Sequence, residues 1–210
     1  MDYNNPAFGK TRLEKLRVPV QRGMSLLVLA ALLLTDSAWE TRSYLVGATL
    51  FFLGCGLAAV GAMGRLWCSL YIAGYKNAAL ITSGPYSICR NPLYFFSMVG
   101  FVGVGMVSET ITLPACMFVL FMIYYPAIIR SEERRLAQLH GAGYADYVRT
   151  TPRFWPRFSQ LQEPAEYLTR PVVFRRHIFS AMWFVWLIGL LEAIEALHES
   201  KILPILFSLW

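Results

Sequence analysis

Two polar clusters interrupt an otherwise apolar chain, and both carry groups able to hold a charged ligand. The first is Ser83-Gly84-Pro85-Tyr86-Ser87-Ile88-Cys89-Arg90-Asn91-Pro92-Leu93-Tyr94, running on to Gly100. Tyr86 and Tyr94 offer aromatic faces and hydroxyls, Arg90 a planar fork that fits a carboxylate, and Asn91 both a donor and an acceptor. Gly84 and Gly100 permit close backbone approach. The second cluster is Arg130-Ser131-Glu132-Glu133, whose carboxylates suit a cationic or hydroxyl-rich ligand. No breaker separates it from Ala127-Ile128-Ile129, so a helix is expected to run on through about Leu139. On that helix Arg130 and Glu133 share a face, and we take them as the candidate catalytic pair. A third segment, Gly141 to Pro156, puts Tyr144 and Tyr147 on one helical face and ends in Phe154-Trp155-Pro156, which suggests a lid at the membrane interface. Each cluster also has a purely structural reading. Glu132 pairs with Arg135 and Glu133 with Arg130; Pro92 opens a helix; the aromatic end is an interfacial anchor.

The elements that must position these groups are membrane spans. Of 210 residues, 56% are hydrophobic and 15% charged, and the mean hydropathy is +0.46; a soluble domain of this size carries about 25% charge. The expected architecture is an all-α integral membrane protein with about five transmembrane helices. Residues 1–22 are basic with an amphipathic spacing of Leu13, Leu16 and Val20. Apolar runs follow at 23–39, 44–64, 93–107, 111–129 and 178–197, the third and fourth forming a tight hairpin around Ser108-Glu109-Thr110. The third run is short for a span, so its helix is expected to begin within the preceding motif. Small residues crowd the second run, with Gly54 and Ala58 as one small-xxx-small pair. Residues 65–92 and 130–177 read as polar connections, and the apolar tail Ile202–Trp210 as an interfacial segment too short to cross. We divide the chain into 1–63, a core at 64–156 holding the pocket, and an extension at 157–210. The polar opening of the chain lacks the pattern of a removable signal peptide.

Charge orients these spans. With a cytoplasmic N-terminus, the connections on its side (1–22, 65–92 and 130–177) hold 5, 3 and 9 Lys and Arg residues, 17 of the 19. Only Arg42 and Lys201 fall opposite, which predicts the N-terminus and the polar clusters inside and the C-terminus outside. The net charge of +6 is thereby accounted for by topology and anionic lipid, not by nucleic acid. Four cysteines form no C-x-x-C pair and three histidines are widely separated, so no metal site is expected.

Taken together, the clusters resemble the membrane methyltransferases that include isoprenylcysteine carboxyl methyltransferase and phosphatidylethanolamine N-methyltransferase. The resemblance rests on Gly84-Pro85-Tyr86, Arg90-Asn91-Pro92-Leu93-Tyr94, Gly100, Glu132-Glu133, Gly143-Tyr144, Tyr147 and Pro152 to Pro156, with Gly64-Arg65-Leu66-Trp67 upstream. It covers residues 64–156. It implies S-adenosyl-L-methionine as cofactor, in a cytosol-facing pocket closed by the C-terminal segment, and a lipophilic acceptor entering from the bilayer, with membrane lipids as the surroundings. The cofactor-binding set carried over is Gly84, Pro85, Tyr86, Arg90, Asn91, Pro92, Tyr94, Gly100, Glu132, Glu133, Tyr144 and Tyr147. Asn91 stands where that family has histidine. Asparagine hydrogen-bonds but does not titrate near neutral pH, which favours an acceptor already ionised, such as a carboxylate, over a phospholipid amine. The alternatives are a nicotinamide-dependent membrane reductase of related architecture and a non-enzymatic transporter or assembly protein. The latter calls for charges along a pathway, and the spans offer only Glu192 and Glu195, near the end of the last one.

Overall fold

In a computed structural model the fold is helical, and the structure describes residues 33–73, 75 and 79–210. The amphipathic segment and most of the first apolar run lie outside the described residues. The end of that run is not helix as expected: Thr35–Ser37 is a short strand, β1, followed by the one-turn helix α1, Ala38–Arg42. The Ser37 hydroxyl caps α1 by accepting from the Trp39 N–H at 3.2 Å.

Helix α2 covers Tyr44–Ile72. The expected span ended at residue 64, but no proline or glycine pair stops the helix there, and it carries Gly64-Arg65-Leu66-Trp67 onward as helix rather than connection. A single turn, α3 (Pro85–Ile88), and helix α4 (Pro92–Val107) follow, each with proline in its first turn, where the missing N–H costs nothing. The short hairpin arm thus begins inside the motif, as anticipated. Ser108 to Ile111 turn the chain, and helix α5 runs from Thr112–Thr150. It continues through Glu132-Glu133 and past Leu139 to a break at Gly141, whose φ of 49° bends the final turns back toward α3. Helix α6 is Pro171–Glu199, and strand β2, Phe207–Leu209, pairs parallel with β1 in the register Thr35 to Phe207. The tail that read as an interfacial segment too short to cross is tied to the bundle: the Trp210 backbone oxygen accepts from the Ile111 and Thr112 N–H groups at 2.7 and 2.6 Å, satisfying the start of α5.

Helices α2, α5 and α6 are long and apolar enough to cross a membrane, and α4 is a shorter apolar helix between them. Their contact is set by residue size. A Cβ on Gly54 would meet the Gly103 carbonyl at 2.7 Å, and one on Gly61 would lie against the Gly100 backbone. The lone Gly54/Ala58 signal is thus one part of a stripe along which α2 and α4 touch backbone to backbone. α6 closes the other side, with Phe184 and Leu191 packed against Ala58, Val104 and Val107.

Candidate active site

The polar motif is irregular backbone held between helices, so its hydrogen-bonding groups need partners. Gly84 adopts φ +60° with the Tyr71 ring against its α-carbon, a place with no room for a side chain. The partners come from residues 151–170, a strap joining α5 to α6 across the motif. The Gly84 N–H donates to the Gln162 carbonyl at 2.7 Å, the Arg90 N–H to Pro152 at 2.8 Å, and the strap's Arg157 N–H to Ile88 at 2.9 Å. The Ser87 hydroxyl accepts from the Gln162 N–H at 2.9 Å and donates to the Gly84 carbonyl at 2.7 Å. Trp67 and Tyr71 donate to the Glu163 carboxylate at 3.1 and 3.4 Å, fastening the strap to α2 as well.

With the backbone fixed, the side chains converge on Glu133. Its carboxylate meets Arg90 Nη1 at 3.2 Å and Arg153 Nη2 at 2.8 Å. Asn91 Nδ2 donates to Glu133 Oε1 at 3.1 Å and to the Arg153 carbonyl at 3.0 Å. The expected pairing of Glu133 with Arg130 does not form: Arg130 is exposed, and no ion pair joins the two. Spacing on one helix suggested that pair, but partners from α4 and the strap are better placed. Arg130 does not line the cavity. Glu133 sits behind the cavity wall, while its neighbour Glu132 lines the cavity with Arg135.

That cavity, of about 1010 Å³, is bounded by α2, α4, α5 and α6. Tyr86, Arg90, Asn91, Tyr94, Glu132 and Tyr147 line it near the motif. Along α4 the lining continues through Ser97, Phe101 and Val104, about 20 Å of helix from Asn91 at 1.5 Å per residue. There the facing walls are Met117, Leu120 and Phe121 of α5 and Phe179, Trp183 and Leu187 of α6. One end is therefore charged and aromatic, and the other is apolar.

The other expected residues divide between cavity wall and scaffold. Tyr147 donates its hydroxyl to the Tyr86 carbonyl at 2.7 Å, and Tyr144 is buried with its ring 6.2 Å from that of Tyr147. Gly84, Pro85 and Pro92 shape the buried backbone. Gly100 is not at the cavity: it lies between Gly61 and the Phe184 ring, because its smallness is used for helix contact. Phe154 packs with Tyr94, Met98 and Phe121, while Trp155 stays exposed. Burial pushes the Tyr86 hydroxyl well above its usual pKa and the Cys89 thiol up to about 12. Both stay protonated at neutral pH, Cys89 as an unreactive core group.

Sequence reasoning missed Arg153 and the α6 wall, and it gave Arg135 only a structural role beside Glu132. Arg153 had a usable signal, a basic residue within the aromatic run before Pro156. The α6 residues had none, being apolar positions in an apolar span.

The profile of the phospholipid methyltransferase family matches residues 42–143, which hold α2, the motif, α4 and the Glu132-Glu133 turn of α5. The nickel-cobalt-cadmium resistance protein NccN of Alcaligenes xylosoxydans xylosoxydans is 38% identical over 192 residues, covering 91% of this chain and 89% of that protein. The cobalt-zinc-cadmium resistance protein CzcN of Cupriavidus metallidurans is 38% identical over 198 residues, covering 94% and 90%. No solved structure matches the chain. The motif, the helices that carry it and the matched segment coincide, and the chain belongs to the phospholipid methyltransferase family of membrane proteins.

Proposed function

We propose that this protein transfers a methyl group from S-adenosyl-L-methionine to a lipophilic acceptor held in the membrane. The observation that carries the reading is a cavity with a charged, aromatic end at the motif and an apolar end between α4, α5 and α6. Such a cavity suits a polar cofactor at one end and an acceptor with an apolar tail at the other.

The residues fit the cofactor's groups. Glu132 would hold its ammonium, Arg90 or Arg135 its carboxylate, and the faces of Tyr86, Tyr94 and Tyr147 its sulfonium and base. When bound, the cofactor supplies a methyl group on a sulfonium, which leaves as a thioether once an acceptor atom donates its electron pair to that carbon. The chain's part is to hold two reactants in line and exclude water. Glu133 is a positioning residue that fixes Arg90 and Asn91, while the strap holds the motif backbone. Asn91 cannot take a proton from the acceptor near neutral pH, so the reading favours a carboxylate over a phospholipid amine. The distribution of Lys and Arg supports a cytoplasmic motif end. The relatives' names tie those proteins to resistance to nickel, cobalt, zinc and cadmium; carried to this chain, methylation of a membrane-held acceptor would contribute to metal tolerance.

Titration of the detergent-purified protein with S-adenosylhomocysteine tests the reading. Binding in the micromolar range is expected, and Glu132→Gln weakens it roughly tenfold or more, the worth of a charge-assisted hydrogen bond. A folded wild-type protein that does not bind it overturns the proposal.

A further inference from the structure

Beyond the apolar end of the cavity lies a second, smaller one, of about 50 Å³, bounded by β1, the turn after α4, α6 and β2. Asp36, Glu109, Glu195 and His198 line it, together with Ser37 and Thr110. The Ser37 hydroxyl donates to the Glu109 carbonyl at 2.8 Å, and His198 Nε2 lies 3.1 Å from the Leu33 carbonyl oxygen. A space of that size and polarity suits water, not an alkyl chain.

The two cavities share a wall. Leu191 and Ile194 of α6 line both, and both side chains are buried. Three positions apart, they lie on one face of the helix. From α4, Val104 lines the large cavity and Val107 the small one, and both valines belong with Leu191 to one core cluster. The lining of the large cavity stops at this level on three helices: at Val104 before the end of α4, at Met117 after the start of α5 and at Ile194 before the end of α6. In each case about 5–8 Å of helix remains beyond it. The apolar end is therefore floored, with polar space behind the floor.

Such a floor limits the length of an occupant. Above it, every methylene of a tail leaves water for an apolar wall. Below it, the tail would strip water from carboxylates. Tyr94 and Val104 are ten positions apart on α4, about 15 Å. Carbon–carbon bonds of about 1.5 Å in an extended zigzag cover that distance in roughly twelve carbons.

We propose that Leu191, Ile194 and Val104 form a floor that sets the longest tail the acceptor can carry, so that the protein selects single-chain amphiphiles of intermediate length. The inference rests on the methyl-transfer reading and narrows the class of its acceptor.

The test uses the full chain in nanodiscs of dioleoyl phosphatidylcholine. Straight-chain acids from octanoate to octadecanoate, and the matching alcohols, displace tritiated dodecanoate. Empty nanodiscs are subtracted, and affinities are referred to free aqueous concentration. In wild type each added methylene is expected to raise affinity about fourfold up to dodecanoate. Hexadecanoate should then fall roughly tenfold or more below the extrapolated line. Ile194→Ala should carry the rise about two carbons further, into the space its side chain leaves. Val104→Leu should end it about one carbon earlier, by filling space above the floor. The position of the break does not depend on how much of a variant is folded. S-adenosylhomocysteine is titrated in parallel and should bind all three proteins alike, its place being at the charged end. Failure of the wild type to bind that nucleoside overturns the methyl-transfer reading. Normal nucleoside binding with a break that stays in place in both variants overturns only the floor. So does a rise without a break, which would mean that the tail leaves sideways into the bilayer, and so does the lack of displaceable binding by both series.

Discussion

A carboxylate shared between two guanidinium groups has little capacity left to bind a ligand directly, and its chief effect is to keep those cations in place. Glu133 does this for Arg90 and Arg153, with Asn91 completing the set. Glu133→Gln should therefore lower stability by about 1.5–3 kcal/mol, the range for hydrogen bonds to charged groups, read as a lower melting temperature in detergent. Asn91→Asp should be worse, since it removes the donor to Glu133 and the Arg153 carbonyl and sets a second negative charge beside Glu133. If either variant melts like wild type, the network does not brace the site. The helical continuity of this region was legible because nothing between Ile129 and Leu139 breaks a helix. The partners were not, because Arg130 is three positions away on the same helix whereas Arg90 and Arg153 arrive through the fold.

Elements are held together here by how closely two helices approach. α2 and α4 meet along Gly54, Ala58, Gly61, Gly100 and Gly103, so a methyl group added at Gly61 has nowhere to go without parting the backbones. Gly61→Ala is expected to destabilise by about 1–3 kcal/mol, as overpacking does. Gly56→Ala, on the same helix with open space around it, should be neutral or slightly stabilising. Thermal unfolding of the pair in one detergent checks the contrast, and equal losses would refute the stripe as the contact. Part of this was readable: small residues were evident in α2, and the proline pair bracketed the motif. The strap's role was not, since its bonds to the motif are made by backbone groups, which leave no mark in side-chain pattern. The β1–β2 pair was equally silent, with three residues a side and most of the chain between them.

At the scale of the molecule, the two ends of the helical bundle have different tasks. The end away from the motif is closed by the β1–β2 pair and by the Trp210 oxygen at the start of α5, with the Arg42 guanidinium 4.2 Å from the Trp210 ring centre. The motif end carries the cavity's charged residues. Hydropathy made the membrane class legible from the outset, because apolar runs of that length have no other solvent. It did not reveal that α6 walls the cavity, because a lipid-facing and a cavity-facing apolar residue look alike in sequence.

A cavity with one polar and one apolar end also decides how its reactants are counted. Under the proposed reading, one reactant arrives from water, where molar concentration governs encounter. The other arrives from the lipid phase, where its mole fraction among lipids governs encounter. Diluting the membrane with inert lipid, at constant total acceptor and enzyme, should then slow turnover in proportion to the fallen mole fraction and leave the KM for the methyl donor unchanged. A rate that follows bulk acceptor concentration instead would mean that both reactants enter from the aqueous side.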